Sequence, residues 1–362
     1  MHWLVVILVL PYLVLLFNIY RGLRKIKRFS LSADPSTFVT IIVACRNEQE
    51  KISRLIRSII TQDYSKELYE VIIVDDNSTD LTYEIASGFA STGNIHTIYN
   101  SGKGKKTAVR TGVEASSGNL IITTDADCIV GSLWIKTIAS FFEKNNPDMI
   151  IAPVQILPEK GVFGVFQELE FLSLQGITAG SALNMKGIMC NGANLAFKRE
   201  IYDSHKDNLH MEITSGDDVF LLHSLKKTSG SKILWLESTE AVVKTDAVLT
   251  QYAYLKQRKR WISKSLKYTD INTITLGIVT LVTNLLQATL FVSGLINTVY
   301  MPVFFLFLLL KSIPDFLILR NTTVRYGRGD LLKWFLPAQI FYPFYVIIVV
   351  LYAISSGIKR KF

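Results

Sequence analysis

Short apolar runs alternate with polar, glycine-bearing turns through the middle of this chain, while both ends stay apolar over much longer stretches. Residues 1–20 carry no Lys, Arg, Asp or Glu. That length crosses a hydrocarbon core of roughly 30 Å, so it predicts one spanning helix. From residue 38 to residue 249 the pattern is mixed α/β. Thr40-Ile41-Ile42-Val43-Ala44-Cys45 and Val71-Ile72-Ile73-Val74 read as strands, and Ile52, Leu55, Ile56, Ile59 and Ile60 recur at helical spacing between them. Strand, crossover helix, strand predicts a parallel sheet. Residues 271–310 hold no charged side chain, too long for one span and enough for two, with the break expected at residues 294–302. A basic loop with Arg320, Arg325, Arg328 and Lys333 then leads to a further apolar stretch over residues 334–354, giving about three C-terminal membrane segments.

Charge changes the picture in one respect. The net charge of +9 raises nucleic acid as a partner, but the basic residues cluster beside apolar segments and lack interleaved base-stacking aromatics. A membrane surface accounts for them better. Arg21, Arg24, Lys25, Lys27 and Arg28 follow the first span, which argues against a cleaved signal peptide and puts the central region in the cytoplasm. The same bias conflicts with Lys359, Arg360 and Lys361, which about three further spans leave on the outer face. A re-entrant last segment or a different count removes the conflict. Cys45, Cys128 and Cys190 are the three cysteines, without metal-ligand spacing and suited to a reducing compartment.

The polar residues that end the strands carry the chemistry. Ligands of open α/β sheets bind at the carboxyl ends of strands. There Ala44, Arg46, Asn47 and Glu48 can receive a nucleotide, although a helix cap explains Asn47 and Glu48 as well. Asp75 and Asp76 can accept from a uracil imide or a ribose hydroxyl, or can belong to a strand-to-helix turn. Gly102-Lys103-Gly104-Lys105-Lys106 lets backbone and lysines approach phosphate, yet lacks the spacing of a P-loop. Asn119-Leu120-Ile121-Ile122-Thr123-Thr124 runs into Asp125-Ala126-Asp127, a partial oxygen cage for Mg²⁺ or Mn²⁺ completed by diphosphate and water. Asn191-Gly192-Ala193-Asn194 is a polar turn entering a strand, and Gly216-Asp217-Asp218 heads a helix, where a carboxylate either caps or serves as a base. Residues 251–267 form a helix with Gln257, Arg260 and Trp261 that can lie on a membrane surface.

In this order these residues closely resemble the membrane-bound family 2 glycosyltransferases, the group of polysaccharide synthases and ceramide glucosyltransferases, over roughly residues 38–261. The resemblance implies an α/β fold of the GT-A type, a Rossmann-like, mixed, mostly parallel sheet, in a cytoplasmic domain flanked by transmembrane helices. It implies a UDP-sugar donor, a divalent cation and inversion at the anomeric carbon. It gives Asp75 or Asp76 to the uridine, Asp127 to the metal and Asp125 to nucleotide, donor sugar or metal. Asp218 becomes the general base, with Asp217 its alternative because this chain has Asp-Asp where Glu-Asp is usual. Asn194, Gln257, Arg260 and Trp261 are expected around diphosphate and acceptor.

The resulting division is a span over residues 1–20, a basic linker over 21–37, the catalytic domain over 38–249, an interfacial helix over 250–270 and membrane segments over 271–356. The leading expectation is an integral enzyme of a bacterial inner membrane acting on a lipid or lipid-linked acceptor. A processive exopolysaccharide synthase is the alternative within the class. A non-catalytic, membrane-anchored nucleotide-binding partner and a transporter are alternatives outside it, the transporter disfavoured because the spans offer few ionisable groups.

Overall fold

A computed structural model describes residues 2–358 apart from 32, 33, 212 and 214. The C-terminal Lys359, Arg360 and Lys361 lie outside the described residues. The chain divides into two units, one of residues 26–157 and 186–246, the other of residues 1–25, 158–185 and 247–362.

Among the described residues the first unit contains ten strands: β1 Val39–Cys45, β2 Tyr69–Asp75, β3 Ile95–Tyr99, β4 Leu120–Asp125, β5 Cys128–Val130, β6 Met149–Ile151, β7 Val154–Ile156, β8 Leu195–Lys198, β9 Ile233–Trp235 and β10 Val243–Thr245. Seven form one sheet in the order β3-β2-β1-β4-β8-β6-β9. The pairs among β3, β2, β1 and β4 are parallel, as the strand-helix-strand pattern predicts. On the far side β8 runs antiparallel to both β4 and β6. The sheet is therefore mixed and mostly parallel.

Its interior follows from composition. The burial of β1 and β2 along nearly their whole length matches strands covered on both faces. The helix Ile52–Ile60 buries Ile52, Leu55, Ile56 and Ile59, the positions a helical period places on one side. Gly112, on the helix Lys105–Ala115, lets that helix approach β1 closely, since a methyl group there would lie 2.6 Å from Ile42 Cγ2.

A smaller sheet, β5-β10-β7, sits just after β4. Asp125 ends β4 and Cys128 begins β5, so the Asp-Ala-Asp turn is anchored at both ends by strands of different sheets. Local sequence offers no sign of β10, whose partners lie more than eighty residues upstream.

The second unit is helical: His2–Lys25, Gly161–Met185, Gln251–Ser265, Ile271–Ile296, Met301–Arg325 and Phe335–Ile358. Four of its segments are long and apolar enough to cross a membrane: residues 6–25, 271–296, 298–325 and 329–355. The break between the second and third falls where expected, at Asn297 and the short turn Thr298–Tyr300.

Three boundaries differ from the sequence reading. The first helix runs on through Lys25, and residues 26–31 join the first unit, where the Phe29 amide donates to the Glu237 carbonyl at 2.7 Å. Arg320 and Arg325 belong to the helix Met301–Arg325 and not to a loop. The stretch 158–185, expected inside the catalytic domain, groups with the helices of the second unit. The physical reason is close packing of small residues, which lets helix backbones approach: a methyl group on Gly22 would collide with the Gly180 carbonyl, and one on Gly176 would lie 2.7 Å from Ile318 Cγ2.

Candidate active site

Register builds the site. Cys45 pairs with Asp75 and Ala44 with Asp125, so the carboxyl ends of β1, β2 and β4 lie side by side. Asn47 and Asn77, which follow β1 and β2, both take left-handed backbone, with φ of 55° and 56°. Asparagine tolerates that region better than most side chains. The Asn47 side-chain oxygen accepts from the Thr79 amide at 2.8 Å and the Asn47 backbone N–H donates to Ser78 Oγ at 3.0 Å, which ties the two turns together. Asn47 is thereby a structural clasp.

Asp75 and Asp76 have separate duties. Asp76 Oδ1 accepts from the Gly104 amide and from Asn100 Nδ2, both at 2.7 Å, and Arg46 lies 4.0 Å from its other oxygen. It holds the glycine-lysine turn in place. Asp75 accepts the Ser78 amide at 3.0 Å through Oδ2, whereas its buried Oδ1 has no partner. A buried acceptor without a donor is costly. It is a ready receiver for a ligand N–H or O–H. Burial together with Asp75 pushes the neighbouring Cys45 thiol up to about 12, so that thiol stays protonated.

Gly104, at φ 94°, turns the chain into the helix that begins at Lys105. The two adjacent lysines then part ways. Lys106 is buried, donates to the carbonyls of Leu209 and His210 at 2.6 and 2.8 Å, and stacks on Phe220. Lys105 Nζ instead lies 2.5 Å from Asp125 Oδ1. Burial opposes its charge, but Asp125, Asp217 and Asp218 outweigh burial and hold it above the ordinary lysine range.

Asp218 approaches the same place from the helix Asp217–Lys226. Its Oδ2 accepts the Gly192 amide at 3.0 Å and its Oδ1 the Val219 amide at 2.8 Å. A methyl group on Gly192 would sit 3.7 Å from Asp218 Oδ2 and 3.8 Å from Lys105 Nζ, so carboxylate and ammonium converge on that glycine. Thr123, inside β4, fixes the turn by donating to the Gly192 carbonyl at 2.8 Å.

Asp125 and Asp127 are half-buried. Burial first, then Asp125, raises the Asp127 pKa, and burial with Asp127 raises that of Glu48. Burial and mutual repulsion among the carboxylates thus outweigh the nearby Lys51 and Lys105. Among the described residues no cluster of three or more His, Cys, Asp or Glu side chains is arranged to hold a metal ion. The pair fits a hard cation that takes one or two carboxylates and fills its other positions from phosphate and water. Arg54, which the sequence reading passed over, donates to the Asp127 carbonyl at 2.9 Å and to Asp246 at 2.8 Å. It was missed because Asp246 lies 192 positions away.

One expected contact is corrected. Asn194 is completely buried: its amide donates to the Pro153 and Ala241 carbonyls, both at 2.7 Å, and its oxygen accepts the Trp134 indole at 3.0 Å. With both ends of the side chain engaged, it braces the Gly192 turn and has nothing left for diphosphate or acceptor.

Gln257, Arg260 and Trp261 lie on the helix Gln251–Ser265 of the helical unit. There the buried cation is Arg258. It lies 3.0 Å from Glu170, beneath the Tyr345 hydroxyl, with Gln257 accepting from it at 2.8 Å and Trp261 stacked 4.1 Å away, while Arg260 is exposed. The trace of this in the sequence is Glu170, which with Glu168 interrupts an otherwise uncharged stretch over residues 161–185.

Residues 40–205 match the model of glycosyl transferase family 2. The chain carries a family 2 glycosyltransferase domain. A glycosyltransferase of Haloferax volcanii, AglE, is 32% identical over 126 residues, 34% of this chain and 41% of that protein. A β-monoglucosyldiacylglycerol synthase of Nostoc is 27% identical over 230 residues, 62% of this chain and 48% of that protein. The chain thus covers less than half the length of either relative. Among solved structures, a mannosyltransferase of Pyrobaculum calidifontis, in complex with GDP-mannose and Mn²⁺, superposes with a TM-score of 0.53 at 15% identity, covering 94% of this chain and 99% of that one. The fold of the domain is GT-A.

Proposed function

We propose that this family 2 domain is an inverting glycosyltransferase that moves a hexose or N-acetylhexosamine from a UDP-sugar to a membrane lipid or lipid-linked acceptor, with its catalytic unit on the cytoplasmic face of a bacterial inner membrane. The convergence of Lys105 and Asp218 on Gly192, with Asp125 paired to the same lysine, carries the reading. A sugar diphosphate needs an anion-binding edge, and a sugar hydroxyl needs a carboxylate within reach when it attacks.

In this mechanism Asp75 Oδ1 accepts from the nucleoside. Asp127, with Asp125, would hold Mg²⁺ or Mn²⁺, which when bound neutralises diphosphate charge. Lys105 passes from Asp125 toward the departing diphosphate. The acceptor oxygen forms a bond to the anomeric carbon from the face opposite the diphosphate, the bond from that carbon to the diphosphate oxygen breaks, and the hydroxyl proton goes to Asp218. General base catalysis of this kind contributes about 10²–10⁴-fold.

The Nostoc relative's name refers to a diacylglycerol product, which supports a lipid acceptor, as do the apolar helices. Incubating membranes with a panel of UDP-sugars and Mg²⁺ or Mn²⁺, followed by mass spectrometry of the lipid extract, tests donor, acceptor and product length. A glycolipid with one added sugar supports the reading, and a long polymer favours a processive synthase. No product from any UDP-sugar, with nucleotide binding intact, would favour a non-catalytic nucleotide-binding partner.

A further inference from the structure

The helical unit holds a partly open cavity of about 100 Å³ whose wall includes Tyr12, Glu170, Lys311, Asp315, Gln339 and Tyr342 among apolar side chains. Three of the helices that supply these residues, those holding Tyr12, Lys311 with Asp315, and Gln339 with Tyr342, are long and apolar enough to cross a membrane. Ionisable groups inside such a bundle are expensive to desolvate and mark a site unless they only bind helices together. The partly open cavity beside them leaves room for an occupant that enters from outside.

The charges on the wall cancel. Lys311 is 1% exposed and lies 2.9 Å from Asp315 and 2.9 Å from the Gln339 oxygen. Asp315 also accepts from Gln339 Nε2 at 3.0 Å and from the Tyr12 hydroxyl at 2.5 Å. Glu170 is matched by Arg258. A phosphate head would require an uncommitted cation, and Lys311 is committed. A hydroxyl needs no counter-charge, since it can donate to Glu170 or Asp315 and accept from a neighbour. The Tyr342 hydroxyl has no hydrogen bond to a described residue and is available to donate to it.

We propose that this cavity binds the uncharged, hydroxyl-bearing head of a membrane lipid. This proposal does not depend on the donor chemistry.

The test uses the full chain in phosphatidylcholine nanodiscs containing a photoactivatable diacylglycerol or, in parallel, a photoactivatable phosphatidic acid with the same acyl chains. Diacylglycerol is expected to label peptides from Gly161–Met185 and Phe335–Ile358 several-fold more than phosphatidic acid does. Tyr342→Phe is expected to lower that labelling about fivefold, the worth of one net hydrogen bond. Ala338→Trp, which fills the cavity, is expected to abolish it. If Ala338→Trp does not fold, Tyr342→Phe alone decides. Equal labelling by both probes, or labelling indifferent to Tyr342→Phe, overturns the proposal. UDP binding by the same samples is read separately, and its absence in the unaltered chain counts only against the transferase reading.

Discussion

Lys105 and Asp125 form an ion pair, Nζ to Oδ1 at 2.5 Å, that joins the start of a helix to the end of a central strand. In the proposed reaction the lysine exchanges this carboxylate for phosphate oxygens. Lys105→Met is therefore expected to weaken UDP-sugar binding by about 10- to 100-fold, the range for hydrogen bonds to charged groups. Isothermal titration with UDP checks it. Unchanged affinity and unchanged turnover would remove Lys105 from the site.

Asp218→Asn keeps the shape of the side chain but cannot take a proton. Transfer should fall by about 10²–10⁴-fold while UDP affinity stays within a few-fold. Asp217→Asn, assayed alongside, should retain most activity. The reverse ranking in a radiolabelled-sugar transfer assay would make Asp217 the base.

The raised pKa of Asp127 has a sign. A carboxylate lifted by burial and by Asp125 is easier to protonate in the folded state, so its contribution to stability is present below its unfolded pKa and is lost as pH rises through the folded one. Asp127→Asn should thus raise the Tm of the metal-free protein at pH 7 and change it little at acid pH, where the carboxylate is already protonated. It should also abolish any Mn²⁺-induced rise in Tm. A lower Tm at pH 7 with the Mn²⁺ effect intact would contradict the placement.

Asn194 is a structural test case. Asn194→Asp leaves a carboxylate facing two carbonyl oxygens that each lie 2.7 Å from the present amide. Loss of such buried pairing is expected to cost about 1–3 kcal/mol or more. Protease resistance and thermal unfolding of the full chain should both fall. A variant as stable as the parent but unable to bind donor would restore Asn194 to the ligand site.

Arg258 and Arg260, two positions apart, should behave oppositely. Removing one partner of a buried ion pair costs about 3–5 kcal/mol, so Arg258→Met should unfold or loosen the helical unit. Arg260→Met, at an exposed position, should leave the Tm unchanged and lower transfer. Thermal unfolding in detergent with a parallel activity assay separates them.

Local pattern fixed much of this molecule in advance. Burial on both faces leaves a nearly continuous apolar run, so β1, β2 and β4 are readable, and so are the acids Asp75, Asp125 and Asp127, because each apolar run leads directly into them. Charge-free length revealed the candidate spans. What the sequence could not decide is which polar residues face a ligand and which are consumed by the fold: Lys105 against Lys106, Asp75 against Asp76, Arg260 against Arg258, and Asn194 at the centre of the core. Adjacent residues of one chemical type differ only in the direction their side chains take, and that direction is set by partners such as Asp246, Trp134 and Glu170, far away in the sequence. Tertiary packing alone brings those partners together.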